Sequence, residues 1–165
     1  MIRTLLTVAA VVVFLLVLGA LRLGWKHRLT RQAGLPPLAA VPAELGATLL
    51  PPLSGLYVGT TYASSWQDRV VHGGLGRRAE SALTVHEAGV LIERTGDQPV
   101  FIPADDLIGA RLEPALAGKV VGAGGLLVIR WRLGGTDLDT GLRADDKSQY
   151  PAAVHAVNDQ SRCTQ

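Results

Sequence analysis

The chain has 165 residues, which is enough for one modest domain with additional segments but not for two large domains. Its net charge is +2, and its hydrophobic content of 48% is high for a soluble protein. Residues 1–52 contain five basic residues and one acidic residue, whereas residues 53–165 contain eleven basic and thirteen acidic residues. This mildly acidic remainder argues against nucleic-acid binding, which needs a domain with a basic face.

An uncharged apolar segment, TLLTVAAVVVFLLVLGAL, occupies residues 4–21. As a helix rising about 1.5 Å per residue it would span roughly 27 Å, close to the hydrocarbon thickness of a bilayer. We therefore predict that residues 1–24 form an N-terminal transmembrane anchor that contacts the lipid bilayer through residues 4–24. The alternatives are a buried core helix and a cleaved signal peptide, whose apolar core is usually shorter, at about 7–15 residues.

Basic and aromatic residues flank the apolar segment. Positive charge is heavier on its C-terminal side, and the more positive flank usually stays in the cytoplasm. We therefore expect a single-pass protein of the cell membrane, with its N-terminus outside and its C-terminal domain in the cytoplasm. The single cysteine, Cys163, cannot form an internal disulfide, in keeping with a reducing compartment. The residues expected at the membrane interface are Arg3, Arg22, Trp25, Lys26, Arg28 and Arg31.

Residues 25–52 are predicted to form a basic juxtamembrane and proline-rich linker. Five of the nine prolines lie in this segment, and proline fixes φ and removes a hydrogen-bond donor, which disfavours a long helix or a central strand. The segment is apolar, so part of it, around residues 43–50, could also pack on the domain or on the membrane surface. We interpret it as a semi-rigid spacer.

From residue 53 the pattern changes to short β-type runs separated by glycine and acidic turns. Ala88-Gly89 and Gly134-Gly135 are predicted to be hairpin turns, because glycine tolerates positive φ. Residues 64–78 are predicted to be irregular, with one helical turn around Trp66 and Val70. The predicted strands are residues 55–62, 82–87, 90–94, 99–102, 106–112, 126–133 and 136–142.

The hydrophobic period becomes helical in residues 145–158, where Tyr150, Ala153 and Val157 fall on one face. Pro151 fits best in a first turn, so the helix should begin near Tyr150. Seven strands followed by one helix predict a mainly β fold, in which the helix buries an apolar stripe of an antiparallel sheet. We place the domain at residues 53–158 and a short C-terminal tail at residues 159–165.

This order of elements resembles the PH-like (pleckstrin-homology-like) fold, an antiparallel β-sandwich or barrel closed by a C-terminal helix. The stretches GLYVGTTYASSWQDRVVHGGLGRRAES, LTVHEAGVLIER, VFIPADDL, GKVVGAGGLLVIRWRLG and LDTGLRADD are similar to those of small actinobacterial single-pass membrane proteins with a PH-like domain. The resemblance covers nearly the whole chain, anchor included. It implies no assigned activity. Some such proteins carry transporter or export labels, but one helix cannot by itself form a translocation path.

Motifs for catalysis or metal binding are weak in this sequence. The segment 118–125, GKVVGAGG, lacks the hydroxyl residue of a phosphate-binding P-loop and leads into a strand rather than a helix. The four histidines, His27, His72, His86 and His155, do not pair at the spacing of metal ligands. Asp137 and Asp139 share one strand face, but carboxylates on strands and at caps are commonly solvated. We therefore expect no enzyme, no cofactor and no metal.

Arg77 and Arg78 support one sharper hypothesis. They follow a glycine-rich stretch in the connection to the second strand of the domain. By resemblance to lipid-binding PH domains, two adjacent arginines there could bind an anionic head group bidentately. Against this hypothesis, the first strand has no basic residue and the domain is net acidic.

The sequence therefore favours a membrane-tethered, non-enzymatic PH-like scaffold that holds an as yet unidentified protein partner at the cytoplasmic face. One alternative is an anionic-lipid head-group sensor that uses Arg77 and Arg78. A second alternative is an accessory subunit of a transport, export or biosynthetic complex.

Overall fold

The computed structural model describes residues 11–22, 34–122 and 125–163. The chain divides into two compact units, Met1–Gly34 and Leu35–Gln165.

In the first unit, residues 11–22 form helix α1. Its large apolar side chains are exposed, for example Phe14 at 62% and Leu16 at 67%. Within the described residues, no helix has both the length and the apolar character needed to cross a membrane. The rest of the predicted anchor and most of the basic flank, residues 1–10 and 23–33, lie outside the described residues.

The second unit is mainly β. Its described part contains nine strands and one α-helix: β1 (Thr48–Tyr62), β2 (Ala79–His86), β3 (Gly89–Arg94), β4 (Val100–Pro103), β5 (Leu107–Glu113), β6 (Ala115–Leu116), β7 (Lys119–Val120), β8 (Leu126–Leu133), β9 (Thr136–Ala144) and α2 (Tyr150–Cys163). This content confirms the prediction of an antiparallel sheet followed by a C-terminal helix.

Seven strands form one antiparallel sheet in the order β4-β3-β2-β1-β9-β8-β5, and β6 pairs only with β7. The sheet is not closed, because β4 and β5 are its two edges, so the barrel alternative is wrong. Its two halves nevertheless share one hydrophobic core: Leu83 and Ile92 from one half lie in the same cluster as Ile129 and Trp131 from the other. The arrangement is sandwich-like.

Strand β1 begins seven residues before its predicted start, at Thr48, and includes Pro51 and Pro52. The pairing of β1 with β2 is irregular between Thr48 and Leu53, and β1 pairs with β9 only from Gly55 onward. The two prolines therefore lie where the ladder is interrupted and one strand edge is unpaired, which is where a sheet tolerates a missing N–H.

The compact unit also includes part of the predicted linker. Leu35 is buried in the main core, and Ala39 forms an isolated antiparallel bridge with Phe101 on the edge strand β4. Residues 35–47 therefore belong to the folded domain and do not act as a spacer. Packing of residues around 43–50 on the domain is the alternative that the sequence left open, and Leu50 is indeed buried in the core. The packing of Leu35 was not predicted, because apolar side chains next to prolines carry no period.

Helix α2 begins at Tyr150, with Pro151 in its first turn, as predicted. It continues to Cys163, five residues beyond its predicted end, and buries Gln160 and Ser161. At its middle, Asn158 accepts a hydrogen bond from the Ala110 N–H at 2.7 Å and donates one to the Ala110 carbonyl at 3.1 Å. The Asn158 amide thus makes the two hydrogen bonds that a neighbouring strand would make with Ala110 at the edge of β5.

A chain of buried hydrogen bonds crosses the core. Trp131 Nε1–H donates to Thr140 (2.9 Å), Thr140 is joined to Thr60 (2.7 Å), Thr60 is joined to Tyr57 (2.7 Å), and the Tyr57 hydroxyl donates to the Leu75 carbonyl (2.9 Å). An indole N–H can only donate and a carbonyl can only accept, so every hydroxyl must donate toward Leu75. Aligned hydrogen bonds of this kind polarise and strengthen one another.

This chain predicts opposite effects for two neighbouring threonines of β1, both fully buried. Thr60→Val removes the middle link and should lower the free energy of unfolding by about 1–3 kcal/mol, because buried hydroxyls lose their partners. Thr61→Val should be neutral or stabilising, because the Thr61 hydroxyl has no hydrogen-bond partner within the described residues. Urea unfolding of both variants measures the difference. Equal destabilisation would contradict the role given to the hydrogen-bond chain.

Candidate functional site

The connection between β1 and β2, residues 63–78, is held firmly against the sheet. Thr60 N–H donates to the Leu75 carbonyl and Val70 N–H donates to the Thr60 carbonyl, both at 2.9 Å. The side chains of Val70 and Leu75 are fully buried in the core. The connection contains a short 3₁₀ turn at His72–Gly74, a little later than the predicted helical turn. Its exposed side chains are therefore displayed from a fixed backbone.

The two arginines predicted from the sequence, Arg77 and Arg78, have different environments. Arg77 donates two hydrogen bonds to the Asp97 carboxylate, at 2.9 and 3.1 Å. The hydrogen bond from Arg77 lowers the pKa of Asp97. Arg78 is exposed and has no carboxylate partner within the described residues. The pair therefore does not present two free guanidinium groups to a ligand.

A third arginine, Arg94, lies behind this ion pair. Its side chain is fully buried and donates to the carbonyls of Gln98 (2.9 and 2.7 Å) and Gly74 (2.8 Å). Its guanidinium carbon lies 4.9 Å from the centroid of the Tyr57 ring. Burial raises the pKa of Tyr57 to about 12, despite the hydrogen bond from Thr60 and the nearby charge of Arg94. Arg94 joins the β1–β2 and β3–β4 connections, so its role is structural.

Arg69 joins two more segments of chain. It donates to the Gly76 carbonyl at 2.7 Å and to the Ala117 carbonyl at 2.6 Å. Ala117 N–H in turn donates to the Trp66 carbonyl at 2.7 Å. The β6–β7 hairpin therefore packs on the β1–β2 connection. We call the surface formed by residues 63–78 and 115–120 the loop end.

The hairpin accounts for part of the glycine-rich segment 118–125. Ala117 and Gly118 both have positive φ, at 51° and 71°, as in the tight turns of two-residue hairpins. The turn leads into strand β7 and not into a helix, so the segment lacks the architecture of a phosphate-binding loop. Residues 123–124 lie outside the described residues.

Three large apolar side chains are exposed on the loop end: Trp66 (44%), Val71 (46%) and Val120 (69%). The loop end also has the exposed cations Arg78 and Lys119, and neither has a carboxylate partner in the part of the chain that the structure describes. The sequence pattern did not identify this surface, because its members lie far apart along the chain. The sequence feature that could have indicated this surface is Trp66, a tryptophan in an irregular and polar segment.

A group of ion pairs covers the outer face of the other half of the sheet. Asp139 on β9 is nearly buried, with 5% of its side chain exposed, and it accepts hydrogen bonds from Arg111 on β5 and Arg130 on β8. Burial raises the pKa of Asp139, but the hydrogen bonds from the two arginines outweigh it and leave the pKa lowered. Asp137 shares this face as predicted, but Asp139 is not the solvated carboxylate that the sequence suggested.

A polar depression of about 720 Å³ lies on the outer face of β1, β2 and β3. Its lining includes the exposed carboxylates of Glu80, Glu93 and Asp145. None of the three has an ion-pair partner among the described residues. In contrast to the ion-paired face of β5, β8 and β9, this surface therefore carries uncompensated negative charge. We call it the acidic depression.

The remaining predicted site residues are more isolated. The described residues contain no group of three or more His, Cys, Asp or Glu side chains that could hold a metal ion. His72 contacts the Pro36 carbonyl at 3.1 Å, and His155 pairs with Asp159 along α2. Of the predicted membrane-interface residues, Arg22 is the last described residue of α1. The others lie outside the described residues: Arg3, Trp25, Lys26, Arg28 and Arg31.

The ion pairs predict that Asp139→Asn destabilises the domain more than Asp137→Asn. Asp139→Asn should cost about 2 kcal/mol, below the usual cost of breaking a buried pair because both arginines remain about one-third exposed. Asp137 and its partner Arg132 are both exposed, so Asp137→Asn should cost less than about 1 kcal/mol. Urea unfolding at neutral pH measures both values.

The same comparison has a pH dependence. The folded-state pKa of Asp139 lies below its ordinary value of 3.8, so its contribution is complete above that value and is lost as the pH falls through the lowered pKa. The stability difference between the wild type and Asp139→Asn should therefore shrink on acidification. A difference that stays constant down to the acid transition would contradict the lowered pKa.

Comparison with known proteins identifies the family. The model of a family described as bacterial PH domain-like matches residues 35–158, which is most of the chain and includes the packed segment before β1. No curated protein matches the sequence. The open antiparallel sheet and the C-terminal helix agree with the fold that the family name describes. The chain therefore belongs to the family of bacterial PH-domain-like proteins.

Proposed function

We propose that this protein is a membrane-tethered, non-enzymatic interaction module, in which residues 4–24 anchor a PH-like domain at the cytoplasmic face of the cell membrane. The domain would hold a protein partner near the bilayer. Tethering raises the local concentration of a bound partner without requiring a tight interface.

The contrast between the two compact units carries this proposal. The large apolar side chains of α1 are all exposed, at 45% or more. The second unit instead buries its apolar residues in a continuous core that both halves of the sheet and α2 share. Exposed apolar area of this extent on a helix needs a nonpolar environment. The apolar sequence continues from the start of α1 back to residue 4, which supports an anchor longer than the described helix.

The electrostatics of the domain support a binding role more than a catalytic one. Three carboxylates have a lowered pKa because of structural hydrogen bonds: Asp97 and Asp139 accept from arginines, and Asp146 accepts from Ser148 and Gln149 in the turn before α2. Burial and the neighbouring Asp105 raise the pKa of Asp106, which lies in the short turn before β5. A general acid or base for neutral pH needs a pKa shifted toward neutrality in a cleft. Hydrogen-bonded carboxylates with lowered pKa values hold chains together and do not transfer protons at neutral pH.

The acidic depression is the surface of the domain that best suits a protein partner. Its carboxylates Glu80, Glu93 and Asp145 are exposed and have no ion-pair partner among the described residues; Glu80 and Glu93 lie on strands β2 and β3, and Asp145 directly follows β9. A partner with basic side chains would gain electrostatic complementarity there, which favours fast and selective association.

The anchor proposal predicts how the protein behaves on membrane extraction. Wild-type protein should remain with membranes at alkaline pH and should float with them in a density gradient. Val13→Arg/Leu16→Arg should release a large fraction, because each charge near the centre of the apolar segment costs about 2.5–3.5 kcal/mol of insertion free energy. Val13→Leu/Leu16→Val keeps the segment apolar and should behave as the wild type.

The orientation is measured on the same cells. Cys163 is exposed on the domain, so its thiol is accessible to a maleimide. Because the domain is proposed to lie in the cytoplasm, a membrane-impermeant maleimide should label Cys163 only after lysis. Labelling of Cys163 in intact cells would overturn the cytoplasmic placement, and release of the wild type by alkali would overturn the anchor.

The partner proposal predicts a difference between carboxylates. In-cell crosslinking and pull-down of the full chain should recover a protein that is lost or reduced several-fold in Glu80→Gln/Glu93→Gln, because each exposed charge contributes to association. Asp159→Asn, an exposed carboxylate on α2, serves as the matched control and should retain the protein. Equal recovery with both variants would exclude the acidic depression as the binding surface.

A further inference from the structure

Two surfaces of the domain carry charge of opposite sign. On the loop end, Arg78 and Lys119 are exposed and have no carboxylate partner among the described residues. In the acidic depression, Glu80 and Glu93 are exposed and lack an ion-pair partner in the same part of the chain. One domain therefore presents both a positive and a negative surface to its surroundings.

The two surfaces adjoin each other. Arg78 is the last residue of the β1–β2 connection, and Glu80 is the second residue of β2. Their Cα atoms are therefore at most roughly 7 Å apart, the reach of two residues of extended chain. Adjoining surfaces of opposite sign are self-complementary, because a two-fold axis between them brings the positive surface of each copy to the negative surface of the other.

The acidic depression has room for an aromatic side chain. Its volume of about 720 Å³ lies in the range of pockets that hold small ligands, about 300–1,000 Å³. Its lining includes the small residues Gly55, Ser81 and Ala82 beside the carboxylates. Trp66 is a large exposed side chain of the loop end, and its indole N–H is a donor that a carboxylate can accept. Trp66 therefore suits both the size and the polarity of the acidic depression.

The loop end presents its side chains from an ordered backbone. The Trp66 carbonyl accepts a hydrogen bond at 2.7 Å from the N–H of Ala117, two residues before Lys119. Arg69 joins the same two segments through the carbonyls of Gly76 and Ala117. A surface that is ordered before binding loses less conformational entropy when it binds. The spacing between the aromatic and the cationic positions is thus set in advance.

We propose that the loop end of one copy of this chain docks in the acidic depression of a second copy. Trp66 enters the depression, while Arg78 and Lys119 lie against Glu80 and Glu93. This inference rests on the proposed function and names its protein partner as another copy of the chain. Copies anchored in one bilayer meet at a raised effective concentration, so a contact of modest area is sufficient.

Charge reversal in the full-length protein tests the pairing. Two differently tagged copies are co-expressed, crosslinked in cells and recovered through one tag. Arg78→Glu/Lys119→Glu, the acidic variant, makes both surfaces negative, and Glu80→Lys/Glu93→Lys, the basic variant, makes both positive. Wild-type copies should recover each other, and neither variant should recover a second copy of itself. Co-expression of the acidic with the basic variant should restore recovery, because every contact then joins opposite charges.

Matched variants separate this contact from general attraction between oppositely charged proteins. Asp105→Lys/Asp159→Lys makes the same charge change as the basic variant at exposed positions outside the acidic depression. It should recover no more of the acidic variant than the wild type does. Arg132→Glu/Arg162→Glu makes the charge change of the acidic variant outside the loop end and should still recover itself.

The aromatic contact is tested by sedimentation of the detergent-solubilised full chain. Trp66→Ala should weaken self-association by roughly thirtyfold or more, the effect of removing an interfacial anchor residue. Leu112→Ala truncates an exposed apolar side chain on β5, outside both surfaces, and should leave self-association unchanged. Urea unfolding checks that each variant is folded. Because Trp66 is exposed, Trp66→Ala keeps the pairing testable even where a charge-reversed variant does not fold.

The possible failures are distinguishable. Folded, membrane-bound acidic and basic variants that do not recover each other overturn the pairing, as does a wild type that is monomeric in sedimentation. If Glu80→Gln/Glu93→Gln loses a different protein and still recovers the second copy, this inference is overturned and the proposed function stands. If that variant loses neither, the acidic depression is overturned as a binding surface for any protein.

Discussion

The chain of hydrogen bonds from Trp131 to the Leu75 carbonyl is the constraint on which the functional surfaces depend. It joins β8, β9 and β1 through Thr140, Thr60 and Tyr57, and it ends on the backbone of the β1–β2 connection. Each buried hydroxyl donates to one neighbour and accepts from the other, which offsets the cost of removing it from water. A connection of sixteen residues is thereby tied to the core of the sheet.

Arginines extend this order from the core to the surface. Arg94 lies against Tyr57 and binds the carbonyls of Gly74 and Gln98, and Arg69 binds those of Gly76 and Ala117. Guanidinium groups suit this role because one planar group can donate to several carbonyls at once. The basic side chains with the most hydrogen bonds in this part of the domain therefore hold loops together, whereas Arg78 and Lys119 have no carboxylate partner among the described residues.

The charges of the domain are distributed in a way that net charge conceals. On the face formed by β5, β8 and β9, acidic and basic residues neutralise one another around Asp139. The depression on β1–β3 keeps its negative charge, and the loop end keeps a positive one. A domain with two uncompensated surfaces of opposite sign is suited to pair with a second copy of itself, the partner proposed here.

The sequence by itself determined the local elements. Alternating side chains predicted most strands, Gly134-Gly135 predicted a hairpin, and Pro151 placed the start of α2, because each of these signals acts within a few residues. Only the tertiary structure decided which side chains were available. Arg77 met Asp97 from another hairpin, Asp139 met two arginines across neighbouring strands, and Leu35 filled the core from a segment without period. These outcomes depend on contacts between residues distant in the chain, whose energies arise only when the sheet has assembled.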